Sequence, residues 1–446
     1  MPKSEKSLLV ISYSFPPDAE VGGRRVARLC RYLPECGISP IVLSVEEEYY
    51  ARRDLSYSPP PGLDVNRAPV HATLLTRYAR LKAAFSASAP RPPAAGLAAG
   101  GGGASTADVG QRRGPLRRQL LTLLETPDLQ RGWRGPAVRV GRALLQSRRF
   151  DAILSSGPPW TTHLVARDLK RRCKLPWMAD FRDPWAGLPG GELPRWRRRL
   201  DARLEASCVH NADAVICNTE TLRQQFMERY HDLPAGNFVT ITNGFDDPIP
   251  AAAMGSDGGG PLLLHLGSIY AQRRIDTFCS ALERLGDSGS LPPGLKVLFD
   301  GEGDEFSRVA REQAPRAAAA GAIEFHGRVP WDDAQELLRA ASLLLIFQGG
   351  FRLQIPAKFF EYLQTGKPIF AVAERGALTD LLESTGTGLW ADPSDAGAIA
   401  GTLMRALRLP ARSPREVERL WGPRFHFRAL AGQLARLTRT LTQDQE

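Results

Sequence analysis

The stretch IPAKFFEYLQTGKPIFAV, residues 355–372, sets Lys358 three positions before Glu361. On a helix that spacing puts both side chains on one face. A shared face lets an ammonium take a phosphate while a carboxylate takes a sugar hydroxyl. The same spacing equally suits a surface ion pair. Upstream, LLLHLGSIYAQRRID reads as a strand, a turn at Gly267 and two adjacent cations, Arg273 and Arg274. It echoes the opening stretch, LLVISYSFPPDAEVGGRR, where Gly22 and Gly23 separate a first strand from its helix and Arg24 and Arg25 follow. Glycine lets backbone approach a ligand closely, and the free N–H groups of a helix start attract anions. A phosphate-binding turn and a plain tight turn with solvated arginines both fit, and the G-x-G-x-x-G dinucleotide spacing is absent. A third cluster, PWMADFRDPW at 176–185, ends a strand in Asp180, Arg182 and Asp183. Open α/β sheets bind ligands at such strand ends; an ion pair capping a loop is the alternative. His163, in SSGPPWTTHLVA, falls in the first turn of a helix, where a lone histidine is more often structural than catalytic.

These residues need elements to hold them. Apolar runs at 8–12 and 41–45 flank an amphipathic helix over 21–36, whose stripe includes Leu29 and Leu33. Strand–helix–strand with short connections is a βαβ unit, which implies a parallel sheet. Further strands are expected at 152–155, 177–180, 214–217 and 238–241, with helices at 160–173, 193–209 and 219–230. The segment 246–261, DDPIPAAAMGSDGGGP, has the composition of a linker. A second series follows, with strands at 262–266, 295–299, 323–325, 343–347 and 368–372 and a last helix near 425–442. The expected fold class is therefore α/β, with two doubly wound domains in tandem. Residues 83–113 are rich in Ala, Gly and Pro, poor in large apolar side chains, and read as a flexible insertion.

Composition narrows the partners. A chain of 446 residues with 43% apolar side chains fills two domains. The net charge of +10 and a pI near 9.5 favour anionic partners. Cys30, Cys36, Cys173, Cys208, Cys217 and Cys279 lack C-x-x-C spacing, which fits a reducing compartment and argues against structural zinc. The N-terminus reads as no signal peptide and no run is long enough to span a bilayer, so the expectation is a cytoplasmic chain, peripheral on the inner face of the cell membrane if it meets a membrane.

Taken together, SFPPDAEVGGRR, DFRDPW, NGFDD, HLGSIYAQRR, GEGD, FHGRV and IPAKFFEYLQTGKPIF resemble the retaining GT-B glycosyltransferases that carry an E-x7-E donor motif, family 4-like, and particularly the bacterial polysaccharide-biosynthesis branch. The resemblance implies two Rossmann-like domains facing a central cleft. These are an acceptor-side domain at 1–245, a linker at 246–261, a nucleotide-sugar-binding domain at 262–424, and a C-terminal helix at 425–446 that crosses back. By position, Gly22, Gly23 and Gly267 match donor-side glycines, and Arg273 or Arg274 with Lys358 match the pyrophosphate cations. Glu361 matches the second motif Glu, a ribose ligand, Arg328 and Val329 match the nucleobase segment, and Asn243-Gly244 the turn near the domain junction. Two departures stand out. Leu353 occupies the first motif Glu, which leaves Gln348, the Gly349-Gly350 backbone or Gln354 for the donor sugar. Where many relatives have a histidine this chain has DFRD, so Arg182 or Asp183 replaces it. Arg24, His163 and Asp180 complete the candidates for acceptor or sugar contacts.

Glycosyl transfer builds charge on the leaving diphosphate while the sugar becomes oxocarbenium-like, so preorganised cations are the expected source of rate. Arg182, Asp183, Arg274 and Lys358 are the catalytic candidates. No metal or other cofactor is assigned, since the acid pairs Asp246-Asp247 and Asp332-Asp333 read as linker and helix-start residues. The expected partners are a nucleotide sugar and a saccharide or lipid-linked acceptor. In helix 193–209, Leu193, Trp196, Leu200 and Leu204 fall on one side among arginines. That pattern serves either an anionic membrane surface or, as favoured here, packing on the sheet; RRGPLRRQLLTLLETPDLQRGWRG carries the same two readings. A GT-B-fold nucleotide-sugar epimerase is the alternative enzyme. A basic nucleic-acid-binding protein is the alternative outside enzymes, but no such signature is present and no nucleic acid is expected.

Overall fold

In a computed structural model the described residues are 6–54, 57–72, 122–187, 193–248, 260–267, 275–301, 304–327, 329 and 331–443. The insertion expected at 83–113, most of the linker, and Arg273, Arg274 and Arg328 lie outside them. The chain divides into two units, one of Met1–Thr242 with Leu430–Glu446 and one of Asn243–Ala429.

The first unit carries a seven-stranded parallel sheet in the order β3-β2-β1-β4-β5-β6-β7. Its strands are β1 (Lys6–Ile11), β2 (Ile38–Val45), β3 (Asp64–Ala68), β4 (Ala152–Gly157), β5 (Trp177–Phe181), β6 (Ala214–Cys217) and β7 (Phe238–Thr240). Helices α1 (Val21–Tyr32), α2 (Arg134–Ser147), α3 (Thr161–Cys173), α4 (Arg195–Val209) and α5 (Glu220–Arg229) accompany them. Strands β1 and β4 are buried along their apolar runs because helices cover both faces. Val26, Leu29, Cys30 and Leu33 supply the buried stripe of α1 and its end.

The second unit carries six parallel strands in the order β10-β9-β8-β11-β12-β13. They are β8 (Leu262–Leu266), β9 (Lys296–Asp300), β10 (Ile323–His326), β11 (Leu343–Phe347), β12 (Ile369–Val372) and β13 (Gly388–Ala391). Its helices are α6 (Asp276–Asp287), α7 (Asp304–Gln313), α8 (Pro315–Ala319), α9 (Trp331–Ala340), α10 (Ala357–Leu363), α11 (Ala377–Thr385), α12 (Ala396–Ala406) and α13 (Pro414–Phe425). The last helix, α14 (Phe427–Gln443), places most of its length in the first unit. There Thr438 Oγ1 lies 3.7 Å from Met178 Sδ of β5, and Arg439 donates to the carbonyl of Cys36. All six cysteines are thiols, and among the described residues no helix is long and apolar enough to cross a membrane.

Each sheet reverses its strand order once, between β1 and β4 and between β8 and β11. The carboxyl ends of strands flanking such a point form the crevice where open α/β sheets hold ligands. The loop after β1 leads to Gly22 and Gly23, and β4 ends at Gly157. The turn after β8 is Gly267, and β11 leads to Gln348.

Candidate active site

In the first unit, three arginines gather at the start of α1, whose first turn contains no acid. The helix dipole makes this the positive end, which favours an anion. Arg182 is held by main-chain carbonyls. Its Nε and its main-chain N–H both donate to Gly157 O, at 3.2 and 3.0 Å, and its Nη2 donates to Pro158 O. The guanidinium lies flat against Gly22, where an added Cβ would sit 1.8 Å from Nη1. Gly22 is therefore the residue that admits Arg182. Burial is the main influence on this guanidinium and pulls its pKa down, with the carboxylates of Asp183 and Asp180 opposing. At Gly23 a Cβ would meet the main chain of Ser14 at 3.0 Å, so the strand itself excludes a side chain there.

The other two arginines are already engaged, which corrects the picture of a solvated pair. Arg24 donates to Asp54 at 2.9 Å and stacks on Tyr57. Arg25 is buried and grips Asp180 with two bonds of 3.1 and 3.0 Å, while also donating to Ile241 O at 2.8 Å and Thr242 O at 2.5 Å. Asp180 accepts Ser156 Oγ as well, at 2.7 Å. Its carboxylate is thus an internal ion-pair partner, held by Arg25 rather than by Arg182. Asp183 is half-buried beside Arg182.

His163 is also corrected. It is fully buried on α3, with Nδ1 2.8 Å from Ser155 Oγ and its ring stacked on Phe181 at 4.4 Å. Burial pulls its pKa down to about 3, which favours the neutral ring. It supports the strand end that carries Arg182.

Helix α4 departs most from expectation. Its inward face is charged: Arg197, Asp201 and Glu205 are buried, while Leu193 is exposed and Trp196, Leu200 and Leu204 are half-buried. Glu205 explains why. Its Oε2 accepts the main-chain N–H groups of Trp185 at 3.0 Å and Ala186 at 2.7 Å, and its Oε1 accepts Arg229 at 2.6 Å and the Tyr230 hydroxyl at 2.7 Å. The helix clamps the loop after β5 through a carboxylate, a role that apolar periodicity cannot reveal. Arg197 bonds Asp201 at 2.7 Å and Pro127 O at 2.7 Å, so it belongs to the interior.

In the second unit, Lys358 Nζ stands 3.0 Å from His265 Nε2 and 3.7 Å from the place a Cβ on Gly267 would take. Gly267 has φ +89°, a conformation that favours glycine, and its N–H donates to Asp300 O at 2.6 Å. The ammonium therefore lies over the end of β8. Glu361, half-buried, follows three residues later on α10, and no ion pair joins it to Lys358 among the described residues. The Asp300 carboxylate accepts the N–H of Val329 at 3.2 Å, which ties the FHGRV segment to the end of β9. Gln348 is buried, and among the described residues its Oε1 has no partner. Its Nε2 donates to Phe351 O at 3.4 Å. Gln354 and Leu353 are half-buried in the turn before α10, and Gly350 takes φ +79°.

Residues 94–244 match a glycosyl transferase 4-like domain and residues 260–408 the domain of glycosyl transferases group 1. An uncharacterized glycosyltransferase of Methanocaldococcus jannaschii, MJ1607, is 21% identical over 260 residues, covering 56% of this chain and 64% of its own. The probable glycosyltransferase WbjE of Pseudomonas aeruginosa is 23% identical over 269 residues, covering 57% and 66%. The chain thus spans just under two thirds of the length of these curated relatives. Sucrose-phosphate synthase from Thermosynechococcus elongatus superposes with a TM-score of 0.65 at 17% identity, covering 98% of this chain and 100% of that one. Anabaena Alr3699/HepE in complex with UDP superposes with a TM-score of 0.53 at 14% identity, covering 99% and 98%.

Proposed function

We propose that this chain, with its GT-B fold and its matches to a glycosyl transferase 4-like domain and then the domain of glycosyl transferases group 1, transfers a sugar from a nucleotide-sugar donor to a saccharide or lipid-linked acceptor. The reading includes retention at the anomeric carbon and a place in cell-surface polysaccharide or glycolipid synthesis. The observation that carries it is the Lys358 ammonium fixed over Gly267 at the β8–β11 crevice, one turn from Glu361. The ammonium suits a diphosphate and the carboxylate suits a ribose diol. Arg273 and Arg274, six and seven positions after Gly267 in the sequence, are assigned to the phosphate, and Arg328 and Val329 to the base. The UDP in the HepE neighbour supports a nucleoside diphosphate as the leaving group. Charge neutralisation falls to arginine and lysine, so no metal is assigned. In the first unit, Gly22, Gly23 and Arg182 offer the start of α1 to an anionic group of the substrates, with Asp183 beside them.

The acceptor surface is read from charge. Arg195, Arg198, Arg199 and Arg203 are exposed on α4 and Leu193 is exposed before it. A basic helix face with exposed leucine suits an anionic membrane carrying a lipid-linked acceptor.

The experiment starts with a thermal-shift panel of UDP-, GDP-, dTDP- and ADP-sugars, because a ligand that binds only the native state raises apparent stability. With the donor identified, Lys358→Ala is expected to lower kcat by about 10²–10³-fold, as for loss of a group acting on transition-state charge. Glu361→Gln is expected to raise the donor KM more than it lowers kcat, since it binds a neutral diol before and during reaction. Near-normal kinetics in both folded variants would remove this helix from the donor site. An isomerised sugar formed from donor alone would make the enzyme an epimerase.

A further inference from the structure

We propose that His265 is a positioning residue that holds the Lys358 ammonium in place; the inference rests on the reading of Lys358 as the phosphate ligand. His265 is the one polar residue in the strand LLLHL and is buried. A polar side chain in a sheet interior is costly unless both its hydrogen-bonding atoms are satisfied. Here the two partners also dictate the proton's location. Nδ1 lies 2.9 Å from Leu345 O, and Nε2 lies 3.0 Å from Lys358 Nζ. A carbonyl only accepts and an ammonium only donates. The hydrogen therefore sits on Nδ1, Nε2 is a bare acceptor, and the ring is neutral. Phe347 at 5.3 Å and Phe299 at 6.0 Å wall the imidazole, so it cannot turn over without repacking.

Lysine carries a long, flexible stem whose rotamer freedom opposes a fixed ammonium position. A rigid acceptor two residues before the Gly267 turn removes that freedom on the side where phosphate is read to bind. The chain of supports runs from the Leu345 carbonyl on β11 through the His265 ring on β8 to the Lys358 ammonium on α10. It crosses the point where the sheet order reverses. A merely structural histidine would serve the core alone and be indifferent to whether residue 358 is charged.

Two substitutions separate these roles. His265→Gln keeps an acceptor near the Nε2 position, whereas His265→Asn keeps a polar group near Nδ1 and loses the contact with lysine. With the donor found by the nucleotide-sugar panel, His265→Asn is expected to lower kcat by about 10–100-fold with donor KM changed little, as for a misplaced catalytic group. His265→Gln is expected within about threefold of wild type, and His265→Asn in a Lys358→Ala background within about twofold of Lys358→Ala alone, since residues acting through one another are non-additive. Equal losses in both backgrounds, a glutamine variant as impaired as the asparagine one, or an asparagine variant as active as wild type would each overturn the proposal. If the asparagine variant does not fold, the imidazole ¹⁵N shifts of the wild-type protein decide. A hydrogen on Nδ1 is required, and one on Nε2 refutes it. If no nucleotide sugar binds the wild type, the donor reading falls, and the same spectrum still tests the His265–Lys358 pair on its own.

Discussion

Replacing Glu205 by alanine should be among the most damaging single substitutions in the first unit. The carboxylate is wholly buried and accepts four donors, two from the backbone of Trp185 and Ala186 and one each from Arg229 and Tyr230. Arg229 is a third exposed, so water can replace its bond. Trp185 and Tyr230 are buried and Ala186 half-buried, leaving three donors poorly served by solvent. Each buried donor left unmade costs about 1–3 kcal/mol. With the lower half of that range for each, the total is about 3–6 kcal/mol, which overlaps the cost of about 3–5 kcal/mol for stripping one partner from a buried charged pair. For a domain of this size that corresponds to a melting shift of about 6–24 °C. Glu205→Gln keeps one oxygen for the two backbone donors but turns an NH2 toward Arg229, and should cost less. Urea and thermal melts followed by tryptophan fluorescence test this, with Trp185 reporting on the loop itself. The transition of the second unit should stay where it is. A loss under about 1 kcal/mol for Glu205→Ala would mean that the loop after β5 is held by something else, and the account of why α4 buries charge would be wrong.

Gly22→Ala should leave stability within about 1 kcal/mol, since alanine is the better helix former, but it should displace Arg182 and lower kcat/KM by about tenfold or more; unchanged activity would detach Arg182 from the site. His163 titrates near 6.5 when exposed and about 3 when folded, so the unfolded chain binds more protons between those values. Its contribution is full above pH 6.5 and is lost as pH falls toward 3, by about 2 kcal/mol between pH 8 and pH 5. Urea midpoints at the two pH values should therefore converge in His163→Gln, and an equal drop in both proteins would refute the assignment. Changing Arg195, Arg198, Arg199 and Arg203 to Glu should lower the affinity for anionic vesicles in co-sedimentation by about three orders of magnitude, as expected when about 1 kcal/mol is lost for each of four basic residues. Unchanged sedimentation would leave α4 with only its internal role. Arg197 is kept, because its bonds to Asp201 and Pro127 O belong to the fold.

The two sheets were legible because buried parallel strands are continuous apolar runs and the helices between them are periodic. Strand β3, DVNRA, was not, since an edge strand with half-buried polar side chains lacks that run. Strand β13, GLWA, was missed for its shortness. At the candidate sites, the elements that carry these residues were readable: Gly22 lies in the first turn of α1, Gly267 in the turn after β8 and Lys358 on α10. The pairings were not. Arg25 with Asp180 joins positions 155 apart, and Lys358 with His265 joins positions 93 apart, so neither appears in any local window. Glu205 was hidden in a helix read for its leucines. A buried acid there is recognisable only once the loop it caps has been placed.

The route of the chain bears on how the protein is made. The first unit needs residues 430–443, whose Leu430, Ala431, Leu434 and Ala435 are buried and whose Thr438 reaches Met178 on a central strand. Those residues emerge from the ribosome only after the whole of the second unit. At about 5–20 residues per second, translation of that intervening stretch lasts on the order of ten to forty seconds. For that interval the nascent sheet lacks a helix that covers part of it, while the second unit has all of its own strands. Completion order is thus the reverse of synthesis order, and the unfinished first unit is the natural client for chaperones during translation.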